Sequence, residues 1–189
     1  MKESIFYTII RPFIKVFTFV FIHPKYIGLD NIPKDGRIIL AGNHTSIFDS
    51  LVLISSTKRN IHFLAKNELW NGPKRIIFSN LGLIPVNRKT KDIFALSEAE
   101  KYLEFEKVIG IFPEGTTEKG RGILPFKIGT VKMAYDTDSV IIPFAIIGKY
   151  GLFKRIKIVF LKPFKVTDSN LDKANDKLKK IITTAIKEG

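Results

Sequence analysis

The sequence predicts an α/β fold with a mixed central sheet flanked by helices. Short apolar runs rich in Ile, Val and Phe alternate along the chain with longer segments of helical periodicity. A length of 189 residues with 45 % hydrophobic residues is enough for one domain with a full core. No internal repeat or low-complexity linker divides the chain. We expect an N-terminal amphipathic helix over residues 1–24 and a single α/β domain over residues 25–189.

The first predicted element is a helix over residues 4–22, which is apolar except for one polar stripe. At 100° per residue the polar positions fall within an arc of about 80°; they are Ser4, Thr8, Arg11, Lys15 and Thr18. In a membrane-spanning helix, Arg11 and Lys15 would lie near mid-span at a cost of about 5–7 kcal/mol. A helix in the membrane interface keeps both cations among the headgroups. The alternative is a helix that packs on the protein's own core.

The remaining elements alternate between strands and helices. Predicted strands cover residues 26–28, 37–41, 61–65, 108–112, 139–144 and 156–160. Predicted helices cover residues 48–55, 73–80, 91–105, 128–135 and 170–187. The last helix has apolar residues at helical spacing, Ser169 or Asn170 as its N-terminal cap, and Gly189 just past its end.

The formal net charge of +13 predicts an anionic partner: nucleic acid, an anionic membrane or phosphorylated ligands. The sequence shows no arginine-rich arm and no helix-turn-helix, zinc-finger or RNP-like motif. Its 16 Phe lie mostly inside apolar runs rather than beside basic residues. We therefore expect an anionic membrane surface and no nucleic acid, with the protein peripheral (monotopic) at the cytoplasmic face of the cell membrane. The absence of Cys excludes disulfides, thiolate metal sites and a cysteine nucleophile.

A candidate base and acid lie five residues apart in the segment 42–49, which reads GNHTSIFD. Residues at this spacing do not share a helix face, so His44 and Asp49 meet only if His44 lies in a loop and Asp49 in the first helical turn. Thr45 or Ser46 would cap that turn. The helix N-terminus would hold the carboxylate, which would accept the proton of one imidazole nitrogen and leave the other as a base.

A second candidate segment, residues 112–116, reads FPEGT and follows the apolar run 108–112. Pro113 stops the strand ladder and Gly115 permits a tight backbone path. These residues predict an exposed Glu114 carboxylate at the carboxyl end of a strand. A structural carboxylate paired with a lysine is the alternative.

A third segment, residues 82–88, reads GLIPVNR and delivers Arg88 at the end of a short apolar run. A guanidinium at this place is suited to bidentate capture of a phosphate. A solvated arginine in a basic loop is the alternative.

These segments occur with two others in a characteristic order: residues 42–49, 82–88, 112–116, 126–129 (FKIG) and 141–143 (IIP). In this order they resemble the conserved blocks of the glycerolipid acyltransferase family, typified by bacterial 1-acylglycerol-3-phosphate acyltransferases. The resemblance covers most of the chain, from about residue 28 to residue 163. It implies that His44 is the base in a direct attack and that Asp49 is its partner. A covalent acyl-enzyme on Ser46 is the alternative, although Ser46 lacks the Gly-x-Ser-x-Gly elbow.

The resemblance also implies substrate-binding residues. Arg88 is associated with the phosphate of the acceptor, and Glu114 with the orientation of its hydroxyls. Gly115 and Thr116 are expected to shape the site, and Lys127 is a further candidate contact to phosphate. Pro143 is expected to shape a strand that lines the acyl path.

One block departs from the family pattern. The family usually reads Phe-Pro-Glu-Gly-Thr-Arg-Ser, whereas this chain has Thr117 and Glu118 in place of the last two residues. Lys119, Arg121 or Lys127 can supply the missing positive charge.

The implied reaction transfers a fatty acyl group from acyl-CoA or acyl carrier protein to the hydroxyl of lysophosphatidic acid, giving phosphatidic acid. No metal or redox cofactor is required. Backbone amides near Glu114 and Gly115, or at the helix start near Ile47, are candidates to hold the oxyanion. Two alternatives stay open: acylation of another lysophospholipid or of glycerol 3-phosphate, and a non-catalytic basic protein that binds membrane or nucleic acid.

Overall fold

The computed structural model describes residues 4–72, 74–87, 93–117, 123–151 and 154–189. These residues contain an eight-stranded sheet. The strands are β1 (Lys25–Ile27), β2 (Ile38–Gly42), β3 (Ile61–Lys66), β4 (Ile84–Val86), β5 (Val108–Ile111), β6 (Val140–Gly148), β7 (Ile156–Phe160) and β8 (Phe164–Lys165). Their order across the sheet is β1-β7-β6-β2-β5-β3-β4, and β8 pairs with the start of β6.

Five neighbouring strands of the sheet run in the same direction. β2 pairs in parallel with β5 and β6, and β3 pairs in parallel with β5 and β4. β7 and β8 pair with β6 in the antiparallel sense, while β1 is parallel to β7. The predicted mixed sheet is therefore confirmed. The carboxyl ends of β4, β3, β5, β2 and β6 meet at one edge, where ligand sites of α/β proteins form.

Helices cover both faces of the sheet. They are α1 (Ile5–Phe21), α2 (Asp49–Ser56), α3 (Lys74–Asn80), α4 (Ile93–Glu104), α5 (Gly129–Asp136) and α6 (Leu171–Glu188). Alternate residues of β2 point to opposite faces. Ile38 and Leu40 join the core formed with α1 and α2, and Ile39 and Ala41 join the core formed with α4, α5 and α6.

Most predicted elements are present, and the differences lie at short strands and strand ends. β4 and β8, with three and two residues, were not predicted because such short runs carry no periodicity. β6 extends to Gly148, four residues beyond the predicted end, because residues 145–147 continue the apolar run. The predicted cap of α6 is confirmed at Asn170, whose side-chain oxygen accepts the N–H of Lys173 at 3.0 Å.

One edge of the polar stripe of α1, with Arg11 and Thr18, faces the protein. Thr18 is buried, and its hydroxyl lies 2.8 Å from that of Ser55 in α2. The Arg11 guanidinium donates to the backbone carbonyl of Lys58, just before β3. The loop before β3 thus supplies a partner for the guanidinium, and the placement of Arg11 among headgroups stays a prediction. Lys15, in contrast, is exposed.

The opposite side of α1 is apolar and exposed. Its large exposed residues are Ile5, Ile9, Phe13, Val16, Phe17, Phe19, Val20 and Phe21. Packing on the protein's own core, the alternative to a membrane helix, thus accounts for only one side of α1. Among the described residues, none of the helices is long and apolar enough to cross a membrane.

Candidate active site

His44 and Asp49 form a hydrogen-bonded pair at the carboxyl edge of the sheet. His44 lies two residues beyond β2, and Asp49 is the first residue of α2. The imidazole Nδ1 is 2.8 Å from the carboxylate Oδ2, and the two side chains are 12 % and 0 % exposed. An ionised carboxylate only accepts, so Nδ1–H donates; in the neutral imidazole Nε2 then carries the free lone pair. The structure brings the two residues together as their spacing predicted.

The buried Asp49 carboxylate is held by further donors. Its Oδ2 also accepts the backbone N–H of Thr45 at 2.6 Å and that of Ser46 at 2.9 Å. Its Oδ1 accepts the hydroxyl of Thr45 at 3.2 Å and that of Tyr150 at 2.6 Å. These charge-assisted bonds offset the cost of burying the carboxylate. Thr45 or Ser46 was expected to cap the first turn of α2. Instead, the Asp49 side chain accepts the N–H groups of these two residues, and Phe48, the N-cap residue, makes no side-chain cap.

The hydroxyl of Ser46 belongs to the same turn. Its Oγ accepts the backbone N–H of Phe48 at 3.3 Å. Nδ1 of His44 is meanwhile bound to Asp49. The observed contacts thus give Ser46 a place in the turn before α2, and none of them is the base contact that a nucleophilic serine needs.

Asn43, which the sequence did not single out, fixes the backbone just before His44. Its side chain is buried, donates to the carbonyl of Ile146 at 2.9 Å and accepts the N–H of Ile146 at 2.7 Å. The amide side chain thereby acts as a strand partner for β6. Gly42 is required beside it, because a Cβ there would lie 2.3 Å from the ring of Phe144. The position of an Asn directly after an apolar run was the available signal.

Phe112 forms one wall of the site. Its ring stacks on the imidazole of His44 with a centroid distance of 3.9 Å and an interplanar angle of 8°. The sequence placed Phe112 in the apolar run before Glu114 but gave no sign of this contact. The stack restricts rotation of the imidazole and covers one of its faces.

Glu114 links the two loops of the site. Its Oε1 accepts the backbone N–H of His44 at 3.1 Å, and its Oε2 accepts the N–H of Leu124 at 3.0 Å. The side chain is half-buried. The expectation of an exposed carboxylate is therefore wrong, because two backbone donors draw it inward. Each oxygen retains capacity to accept one more bond.

Lys127 lies over the turn that contains Gly115. Gly115 has φ +70°, and its N–H donates to the carbonyl of Phe112 at 2.9 Å. A Cβ at Gly115 would lie 3.2 Å from Nζ of Lys127, so the glycine makes room for this side chain. The backbone N–H of Lys127 donates to Pro113 at 3.0 Å. The structure thus places an exposed cation beside Gly115, and the bond to Phe112 removes the Gly115 amide from the oxyanion candidates.

The structure gives less information on the other predicted site residues, several of which lie outside the described residues. Thr116 follows the turn and is half-buried. Arg88 lies outside the described residues, as do Glu118, Lys119 and Arg121. Within the described ranges, no three His, Asp or Glu side chains are grouped as ligands for a metal ion.

The chain is similar in sequence to proteins named as acyltransferases. A 1-acyl-sn-glycerol-3-phosphate acyltransferase of Borreliella burgdorferi is 35 % identical over 129 residues, which are 67 % of this chain and 52 % of that protein. The chain therefore spans about half the length of that relative. The Bacillus subtilis protein of the same name is 27 % identical over 154 residues, 76 % of this chain and 75 % of that protein.

The fold has a counterpart of known structure. It is the 1-acyl-sn-glycerophosphate acyltransferase PlsC from Thermotoga maritima, which superposes with a TM-score of 0.81 at 25 % identity. The match covers 96 % of this chain and 78 % of that one. A family model described as Acyltransferase matches residues 23–147, which include His44, Asp49 and Glu114. The chain belongs to the acyltransferase family.

Proposed function

We propose that this protein transfers a fatty acyl group from an acyl thioester to the free hydroxyl of 1-acylglycerol 3-phosphate (lysophosphatidic acid), giving phosphatidic acid. The observation that carries the proposal is the buried His44–Asp49 pair, with its Nδ1–Oδ2 distance of 2.8 Å, inside the segment matched by the family model. The names of the Borreliella, Bacillus and Thermotoga relatives supply the acceptor.

His44 acts as the general base of the proposed reaction. Nε2 removes the proton of the acceptor hydroxyl as its oxygen attacks the thioester carbonyl carbon. The tetrahedral intermediate then collapses, the carbon–sulfur bond breaks, and the imidazolium returns the proton to the departing thiolate. Asp49 holds the imidazole by Nδ1 and stabilises its positive charge between the two transfers. The substrate hydroxyl thus takes the place of a nucleophilic side chain.

Cations recognise the phosphate in this proposal. Lys127 is exposed beside the turn at Gly115, within the same loop region as Glu114. Its ammonium is suited to a phosphate, and Arg88 is proposed as a second contact. Glu114 is proposed to accept a hydroxyl of the acceptor through its remaining lone pairs. The oxyanion is proposed to lie near the start of α2 at Ile47.

The acyl donor is proposed to be acyl-CoA or acyl carrier protein. Both carry negative charge, and the net charge of +13 attracts either one.

The exposed apolar side of α1 supports attachment to a membrane surface, proposed here to be the cytoplasmic face of the cell membrane. The attachment is peripheral and monotopic, with Phe13, Phe19 and their neighbours entering the interface. The active site adjoins this surface: Ile47 is 79 % exposed, and the ring of Phe48 lies 6.4 Å from that of Phe17 in α1. A membrane-resident lysophospholipid fits this placement better than water-soluble glycerol 3-phosphate.

A radiolabelled acyl-transfer assay tests the proposal. The purified protein is given acyl-CoA or acyl carrier protein with lysophosphatidic acid, other lysophospholipids or glycerol 3-phosphate in anionic vesicles, with His44→Ala as the inactive control. We expect labelled phosphatidic acid from lysophosphatidic acid and at most slow transfer to the other acceptors. The proposed function would be overturned if the wild-type protein transferred no label to any acceptor, or if His44→Ala transferred as much label as wild type.

A further inference from the structure

We propose that Tyr150 is a positioning residue for the His44–Asp49 pair. Its hydroxyl fixes the Asp49 carboxylate in the orientation that holds the imidazole. The inference rests on the proposed acyl transfer and adds to it a residue that lies outside the 23–147 segment matched by the family model.

The topology of the sheet brings Tyr150 to the site. Tyr150 lies two residues after the end of β6. β6 is the parallel neighbour of β2, and His44 lies two residues after the end of β2. β5, the other neighbour of β2, carries Glu114. Three adjacent parallel strands therefore deliver Glu114, His44 and Tyr150 to the same edge.

The two oxygens of Asp49 have different partners. Oδ2 accepts from His44 Nδ1 and from two backbone N–H groups, whereas Oδ1 accepts the hydroxyl of Tyr150 at 2.6 Å. The terminal torsion of an aspartate is broad and has no strong intrinsic preference. Donors on both oxygens are therefore needed to fix the orientation of the carboxylate plane. Of the two hydroxyls that donate to Oδ1, that of Tyr150 is the closer at 2.6 Å, and that of Thr45 lies at 3.2 Å.

The phenol remains a donor under the conditions of acyl transfer. Burial raises the pKa of Tyr150, and the Asp49 carboxylate and the Tyr26 phenol raise that pKa further. Glu114 also lies at the pair, where its Oε1 accepts the backbone N–H of His44. The ring of Tyr150 also packs at 5.8 Å from that of Phe48, so removal of the hydroxyl alone leaves this contact in place.

The test compares two tyrosines that undergo the same chemical change. Tyr150→Phe removes the donor to Asp49, and Tyr26→Phe removes a hydroxyl that donates to the carbonyl of Val52 at 2.8 Å. We expect Tyr150→Phe to lower kcat about 5- to 20-fold, with the KM for the acceptor within about twofold of wild type. Tyr26→Phe should keep kcat within about twofold of wild type.

A double-mutant cycle separates positioning from a general loss of structure. Because Tyr150 acts through the carboxylate, Tyr150→Phe should change kcat less than about twofold in the Asp49→Asn background. An equal loss in both backgrounds, or a Tyr150→Phe enzyme with wild-type kcat, would overturn the proposal.

A measurement without substrate keeps this inference distinct from the proposed function. The ¹⁵N NMR signals of the His44 ring, assigned by their loss in His44→Ala, should shift in Tyr150→Phe and stay in place in Tyr26→Phe. Unchanged His44 signals in Tyr150→Phe would refute the positioning role whether or not the wild-type protein transfers acyl groups. An inactive wild-type protein with shifted signals would refute the acyl transfer and leave the positioning role standing.

Discussion

The carboxylate of Glu114 accepts the backbone N–H of His44 at 3.1 Å, so the acidic loop after β5 holds the base-bearing loop after β2. The second oxygen of Glu114 accepts the N–H of Leu124 at 3.0 Å. One side chain therefore joins three segments that meet at the carboxyl edge of the sheet. This makes Glu114 part of the support of the site, in addition to its proposed contact with the acceptor.

Glu114→Gln should lower both stability and turnover. A carboxamide has one accepting oxygen, so its NH₂ group would face one of the two backbone N–H groups. We expect a loss of about 1–3 kcal/mol in the free energy of unfolding and at least about a tenfold loss in kcat, because the base loop shifts. Urea unfolding and steady-state kinetics measure the two effects. Glu104→Gln, at an exposed position near the end of α4, is the control and should match wild type.

Asn43→Asp tests the anchor before His44. The substitution keeps the shape but places a carboxylate oxygen against the carbonyl of Ile146, where the amide now donates. We expect the free energy of unfolding to fall by at least about 2 kcal/mol. The control is Asn80→Asp, since Asn80 donates to the carbonyl of Ile76 on an exposed helix. Equal small effects at both positions in urea unfolding would show that the Asn43 contact contributes little.

Lys127→Gln should weaken the binding of acceptors that carry a phosphate. Loss of a charge-assisted contact raises the apparent KM by the equivalent of about 1.5–3 kcal/mol. The effect should shrink with an acceptor that lacks the phosphate, and Arg88→Ala should behave in the same way. Lys132→Gln, which removes a cation already paired with Asp136 on α5, is the control. Equal KM changes with both acceptors would assign Lys127 to donor binding or to the fold.

The two cations of α1 should have different roles. Arg11 binds the carbonyl of Lys58, so Arg11→Gln should lower the free energy of unfolding by about 1–3 kcal/mol. Lys15 is exposed, so Lys15→Gln should leave stability unchanged and weaken binding to anionic vesicles by about 1 kcal/mol. Phe13→Glu on the apolar side should reduce binding to neutral vesicles as well. Urea unfolding measures the stability changes, and vesicle sedimentation measures the membrane binding. Unchanged sedimentation of Phe13→Glu would contradict the proposed attachment.

The sequence predicts the sheet, its helices and the meeting of His44 with Asp49, because these follow from local apolar runs and from a five-residue spacing. Tyr150 could not be predicted, since its place depends on the pairing of β6 with β2 and on the extension of β6 to Gly148. The inward contacts of Arg11 and Thr18 in α1 were missed for a similar reason. The partners of Arg11 and Thr18 lie 47 and 37 residues away along the chain, beyond the reach of a helical pattern.

The measurement that tests the central claim most directly is the kcat of His44→Ala in acyl transfer to lysophosphatidic acid. We expect a loss of at least about 10²-fold, with circular dichroism and melting temperature close to wild type. Asp49→Asn should cost less, because the base remains while its orientation and charge support weaken. A folded His44→Ala protein that transfers acyl groups at a rate near wild type would contradict the account.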